Sequence, residues 1–168
     1  MKALTLWQPW ASLIVAGVKP YEFRGWRAPA SFVGQRIGIH AGKRPVRRGE
    51  IADLILRLRD PQRAWSTALR PEALPHLERW HSSPGELPLS SVLCTAVLGK
   101  PLIGAAIVAE FGGDPVALGD RSPDPLNDSD RDEHCNWAWP LTDIKALVPI
   151  VPAMGSQGFW DWTPEFAA

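Results

Sequence analysis

Residues 8–26 read Gln8-Pro9-Trp10-Ala11-Ser12-Leu13-Ile14-Val15-Ala16-Gly17-Val18-Lys19-Pro20-Tyr21-Glu22-Phe23-Arg24-Gly25-Trp26. The first half is a helix by its own punctuation. Proline is tolerated at a first helical position, where its missing N–H costs nothing. Trp10, Leu13 and Ile14 then recur at i, i+3, i+4, the spacing of one buried face. Gly17 stands where a terminating glycine adopts the left-handed conformation. The pattern predicts a two-turn helix over 9–16 that stops at Gly17. From Tyr21 the period changes to two, which predicts a strand over 21–26. Glu22, Arg24 and Trp26 share one face, and Tyr21 and Phe23 take the other.

Working outward, residues 36–40 form a second short strand, with Ile37 and Ile39 inward and His40 on the opposite face. Residues 50–59 place Ile51, Leu54, Ile55 and Leu58 at helical spacing with Arg57 and Arg59 exposed, and Pro61 ends the helix. Residues 64–69 and 71–81 read as further short helices. The apolar, β-branched runs 92–98 and 102–111 flank Lys100-Pro101 and read as a hairpin or neighbouring strands. Residues 136–141 are a strand with Trp137 and Trp139 on one face. Residues 142–146 read as a turn or short helix leading to 148–152. Regular βαβ alternation is missing. The class is therefore α+β, a mixed β-barrel with peripheral helices rather than a doubly wound sheet.

At 168 residues, 45% hydrophobic and 21% charged, the chain is one domain able to bury a core. Seventeen prolines disfavour a long-helix bundle, since each interior proline costs a helix about 3 kcal/mol. No apolar run reaches the ~18 residues of a membrane helix, and no signal-peptide pattern follows Met1, so a cytoplasmic protein is expected. Cys94 and Cys135 match no zinc or redox spacing. Cys94 reads as a small buried hydrophobe, and neither a metal nor a cofactor is expected. The zero net charge hides a division: residues 1–63 hold twelve Lys or Arg against four Asp or Glu, and the remainder six against fourteen. A basic half suits a polyanionic ligand, or the two halves simply neutralise each other. Residues 112–134, rich in Gly, Pro, Asp and Ser, read as a long acidic surface loop.

Leu6-Trp7-Gln8-Pro9-Trp10-Ala11 followed by Gly17-Val18-Lys19-Pro20-Tyr21-Glu22-Phe23-Arg24 resembles the ASCH (activating signal cointegrator homology) family. Its hallmark, Gly-x-Lys-x-x-Glu-x-Arg, is filled at every fixed position. Trp26-Arg27, Ile37-Gly38-Ile39-His40-Ala41, Trp137-Ala138-Trp139-Pro140-Leu141 and Gly155-Ser156-Gln157-Gly158-Phe159-Trp160 extend the resemblance. It covers residues 1–43 and about 88–162, and leaves about 44–86 as a helical insertion within a single ASCH-like domain spanning 1–168. The resemblance implies a PUA-like mixed β-barrel with a cleft beside the first helix, and binding of RNA or nucleosides. Some small members are amidohydrolases acting on N4-acetylcytidine, and ribonuclease activity occurs within the family.

The motif residues have chemistry of their own. Arg24 offers a planar fork to a phosphate or base edge, and Lys19 is a point charge that can lose its proton if desolvated. Glu22 can accept from an exocyclic amine, act as a general base, or pair with Arg24 to hold the strand register. Trp7, Trp10 and Trp26 lie close by in sequence, and aromatic faces among cations can stack a base while its phosphate is held. Trp26 is the favoured stacking residue, whereas Trp10 also suits core packing. His40 is either structural or ligand-facing. Lys43, Arg44, Arg47 and Arg48 form a basic cluster that can steer phosphates. Ser156 and Gln157 lie in a glycine-flanked loop able to bring N–H groups to a ligand. With Gln8 and Arg27 from the flanking matches, these complete the candidate ligand-binding set. The expected partner is RNA, a nucleotide or a modified nucleoside; the sequence leaves the oligomeric state open, with a monomer favoured. One alternative is a hydrolase of modified nucleosides or a ribonuclease using Lys19 and Glu22; another is a protein-interaction module built on the middle helices. Glu22 stands where the acetylcytidine hydrolases have a threonine three places after the lysine, so that mechanism does not transfer directly.

Overall fold

A computed structural model describes residues 1–114 and 137–163. Most of the acidic stretch 112–134, together with His134 and Cys135, lies outside these described residues. The elements in order are β1 (Lys2–Leu6), α1 (Trp10–Val15), β2 (Tyr21–Arg24), β3 (Arg36–Ala41), α2 (Arg48–Arg59), α3 (Ala73–Ser82), β4 (Ser91–Leu98), β5 (Leu102–Ile103), β6 (Trp137–Pro152) and β7 (Phe159–Asp161). Single turns of 3-10 helix join several of them. The strands form one curled sheet in the order β2-β6-β4-β3-β1-β7, with β5 added beside β6. Only the β1–β3 pair is parallel among the described pairs, so the sheet is mixed. This is a PUA-like α+β half-barrel, as expected, open between β2 and β7 rather than closed. Among the described residues no helix is long and apolar enough to cross a membrane.

Helix α1 starts one residue later than the proline pattern implies, with Pro9 as its cap. Gly17 terminates it at φ +74°, where its N–H reaches Ile14 O and the next N–H reaches Leu13 O at 2.8 and 3.1 Å. Those bonds satisfy carbonyls the helix end would otherwise leave open. The helix is shared between two cores. Ile14 packs with Leu4, Ile37, Ile39, Trp139 and Leu141 on the sheet, and Leu13 packs with Ile51, Leu54 and Leu77 of α2 and α3. The helical segment between β3 and β4 thus rests on the back of α1. Cys94 is fully buried in β4, and burial pushes its thiol up to about 12.

Three local expectations are corrected. Residues 102–111 are a strand only at Leu102 and Ile103, which pair with β6; Gly104–Phe111 is 3-10 helix. Both edges of β4 are already taken, by β3 and β6, so no hairpin partner fits there. The run instead puts Ile107 and Val108 into a small core with Phe23, Ala68 and Ala138. Burial of that kind serves either secondary structure, so a short apolar run does not distinguish them. Residues 142–146 are neither turn nor helix but the middle of β6, one 16-residue strand. Its register against β4 jumps from Cys94↔Ala146 to Val92↔Val151, so residues 147–150, with Pro149 among them, form a bulge. A proline is admissible where no ladder bond is required of its nitrogen. Arg57, finally, is not exposed: it is mostly covered and pairs with Asp53 at 2.7 Å, one turn earlier on α2.

Candidate functional site

A cleft of about 1210 Å³ opens beside the start of α1. Its walls come from five separated stretches: the end of β1 with the start of α1, β2 with the turn after it, the end of β3 with the loop into α2, Ser90, and residues 154–157.

Period two along β2 turns Glu22 and Arg24 into this space. Glu22 is sunk to 3% exposure between two cations: Oε1 lies 2.9 Å from Arg24 Nη2, and Oε2 lies 3.6 Å from Lys19 Nζ. Lys19 is 1% exposed and sits under the carboxylate rather than on the wall, its ammonium 5.1 Å from the ring centres of both Trp10 and Phe23. The two rings supply electron-rich faces in place of water. Arg24 also donates to Thr5 O at 3.2 Å, tying β2 to β1 across the cleft floor.

The floor continues through a chain of hydrogen bonds. Ala153 O can only accept, so His40 Nε2 carries the proton in their 3.0 Å bond. Nδ1 then accepts from the Thr5 hydroxyl at 3.1 Å, and Thr5 Oγ1 accepts from Trp160 Nε1–H at 3.0 Å. The neutral imidazole satisfies every member. Burial holds the His40 pKa below its ordinary 6.5, and the bond to Ala153 offsets part of that. Gly155 packs against the ring so closely that a Cβ there would meet it at 2.4 Å. His40 is thereby the platform on which residues 153–157 lie.

Two half-exposed indoles mark the rim. Trp26 stands edge-on to Trp139, with centroids 4.7 Å apart, and leaves 43% of its surface open. Trp7, 41% exposed, carries the Arg44 guanidinium 3.8 Å above its ring centre. Lys43, Ser156 and Gln157 are exposed at the mouth.

The structure therefore brings Trp10, Glu22, Arg24, Trp26, His40, Lys43, Ser156 and Gln157 to one cleft. Gln8, Lys19 and Arg27 do not line it. Gln8 is 1% exposed and braces the chain, its Nε2–H donating to Pro88 O at 2.8 Å and its Oε1 accepting from Ser12 N–H at 3.2 Å. Arg27 lies over the Trp137 ring instead, 5.3 Å from its centre. Thr5, Ser90 and Met154 also line the cleft and were not anticipated. Thr5 had a findable signal, because strand alternation through residues 2–6 places it opposite the core-facing Leu4 and Leu6.

A curled PUA-like half-barrel with a polar, tryptophan-rimmed cleft at the first helix defines the class. The chain belongs to the ASCH domain family, whose pattern it matches over residues 4–95. The match contains the whole Gly17–Arg24 motif and runs through the helical segment, while residues 154–157 of the cleft lie beyond it. The family is generally linked to RNA binding. Among curated proteins no match to the chain was found.

Proposed function

We propose that the protein binds RNA and seats one nucleotide, plain or modified, in this cleft. The observation that carries the reading is the composition of one wall system: Arg24, Lys43 and Arg44 share the walls with Trp7 and Trp26 around a sunken carboxylate. Cations hold phosphates without regard to sequence, indoles stack any base, and an ionised carboxylate can only accept hydrogen bonds. Glu22 is then the residue that reads a base edge, Trp26 the stacking face, and Lys19 the buried group that positions Glu22. Ligand pockets of about 300–1,000 Å³ hold drug-sized molecules; the larger, open cleft here suits a nucleotide within a strand.

Hydrolysis of a modified nucleoside or of RNA is a second reading, favoured by the same sunken carboxylate facing the cleft. In that case Glu22 is the base, and Glu22→Gln abolishes turnover while leaving affinity nearly unchanged. For a pure binder the same variant loses roughly 1–3 kcal/mol of affinity. Docking of a protein through the middle helices has less support: between residues 50 and 80 the one exposed large hydrophobic is Leu56, and a solitary exposed leucine needs no partner.

The test is fluorescence anisotropy of a short labelled single-stranded RNA across a salt series. Three phosphate-neutralising cations give a slope of about −2 in log K against log salt. Absence of binding at low salt overturns the RNA reading.

A further inference from the structure

Arg44 is held from two sides. Its guanidinium lies over the Trp7 ring, 3.8 Å from the centre, and its Nη2 donates to both carboxylate oxygens of Glu50, in the first turn of α2. The side chains are 16% and 25% exposed, so the pair is largely out of water. Arg47 Nη1 approaches the same carboxylate at 3.5 Å, with its own side chain 60% exposed. Trp7 and Arg44 line the cleft, but Glu50 does not. A planar guanidinium can stack and pair at once, which an ammonium cannot.

We propose that Glu50 is a positioning residue for the cleft: it pins Arg44 against Trp7, so that α2 sets the cationic wall met by a bound RNA strand. This rests on the RNA-binding reading for its consequence, though not for its geometry. The sign of the effect separates the proposal from plain electrostatics. A carboxylate beside a polyanion site repels the ligand, so a Glu50 that merely contributes charge should tighten binding when removed. A Glu50 that positions Arg44 should weaken it.

The experiment is a double-mutant cycle on Glu50→Ala and Arg44→Ala, read with a labelled single-stranded RNA and with 5-fluorotryptophan incorporated. The Trp7 fluorine signal is assigned by its loss in Trp7→Phe. Glu50→Ala is expected to weaken RNA binding about fivefold when Arg44 is present and less than about twofold when it is absent. The same variant should shift the Trp7 signal in the first background and not in the second. Tighter or unchanged binding, or equal weakening in both backgrounds, overturns the proposal. If the wild-type protein binds no RNA, the RNA reading fails by itself and the fluorine cycle decides on Glu50: a shift that vanishes with Arg44 supports it, and any other pattern overturns it. Should Glu50→Ala fail to fold, Glu50→Gln carries the same cycle.

Discussion

Replacing Glu22 by Gln removes a charge and almost no volume, and the expected result is a protein that folds but melts early. At 2.9 and 3.6 Å from their partner oxygens, Arg24 and Lys19 each attract the carboxylate by roughly 5 kcal/mol at an effective dielectric of about 20. Desolvation of the three groups offsets much of that. The variant keeps the desolvation and loses the attraction, leaving two cations beside each other with Lys19 only 1% exposed. Removing one partner of a buried pair costs about 3–5 kcal/mol. The lower end applies, because Arg24 keeps 23% of its side chain in solvent and can turn outward. About 3 kcal/mol in a domain of this size lowers Tm by about 6–12 °C. Lys19→Met is the complementary change: an apolar stem stays between Trp10 and Phe23, Glu22 keeps Arg24, and the cost stays under about 1.5 kcal/mol. The double variant should recover most of what Glu22→Gln loses. Thermal and urea melts of the four proteins make the comparison. Equal costs for the two single variants, or no recovery in the double, would refute the reasoning.

Three further outcomes are expected. The His40 pKa is depressed in the fold, so between its native and unfolded values the unfolded chain binds more protons; stability is full above about pH 6.5 and falls as the pH drops from there through the native value. Urea melts at several pH values check this, and His40→Asn should flatten that part of the profile. Gly155→Ala should cost about 1–3 kcal/mol and weaken RNA binding, because the new methyl group would meet the imidazole at 2.4 Å; unchanged stability and affinity would mean the 153–157 segment moves freely. Trp26→Ala should weaken RNA binding by roughly 1–3 kcal/mol without altering the salt slope, since it removes stacking and no phosphate contact.

What could be read from the sequence was what short range determines. Gly17 and the three apolar positions before it define α1, and the change to period two at Tyr21 puts Glu22 and Arg24 on one face. Both follow from chemistry within a few residues. Strand β1 has no boundary signal in the sequence, because its partners are 35 and more than 150 residues away and nothing local in residues 2–6 marks a turn or cap. The unity of β6 was hidden for a related reason: polar Thr142, Asp143 and Lys145 resemble a turn until Arg36 of β3 is found paired with Asp143. Gln8 and Arg27 show the converse error, since nearness in sequence to the motif did not bring them to its cleft. The Arg44–Trp7 contact, 37 residues apart, has no signature before the fold is known.

The pairing of β1 with β7 has a consequence for when the cleft can work. Met1 and Trp162 exchange two hydrogen bonds, the ammonium of Met1 reaching Trp162 O at 2.7 Å and Trp162 N–H reaching Met1 O at 2.8 Å. Trp160 in turn holds Thr5, on which His40 rests. On the ribosome, residues 1–45 emerge with the cations and indoles that line the cleft, but their floor stays unbraced until residues 153–162 are made. Synthesis at about 5–20 residues per second then imposes a delay of several seconds between the appearance of a basic, aromatic segment and its assembly into a shaped cleft. During that interval the nascent chain has charge without geometry, and the cleft takes its shape only with the docking of β7.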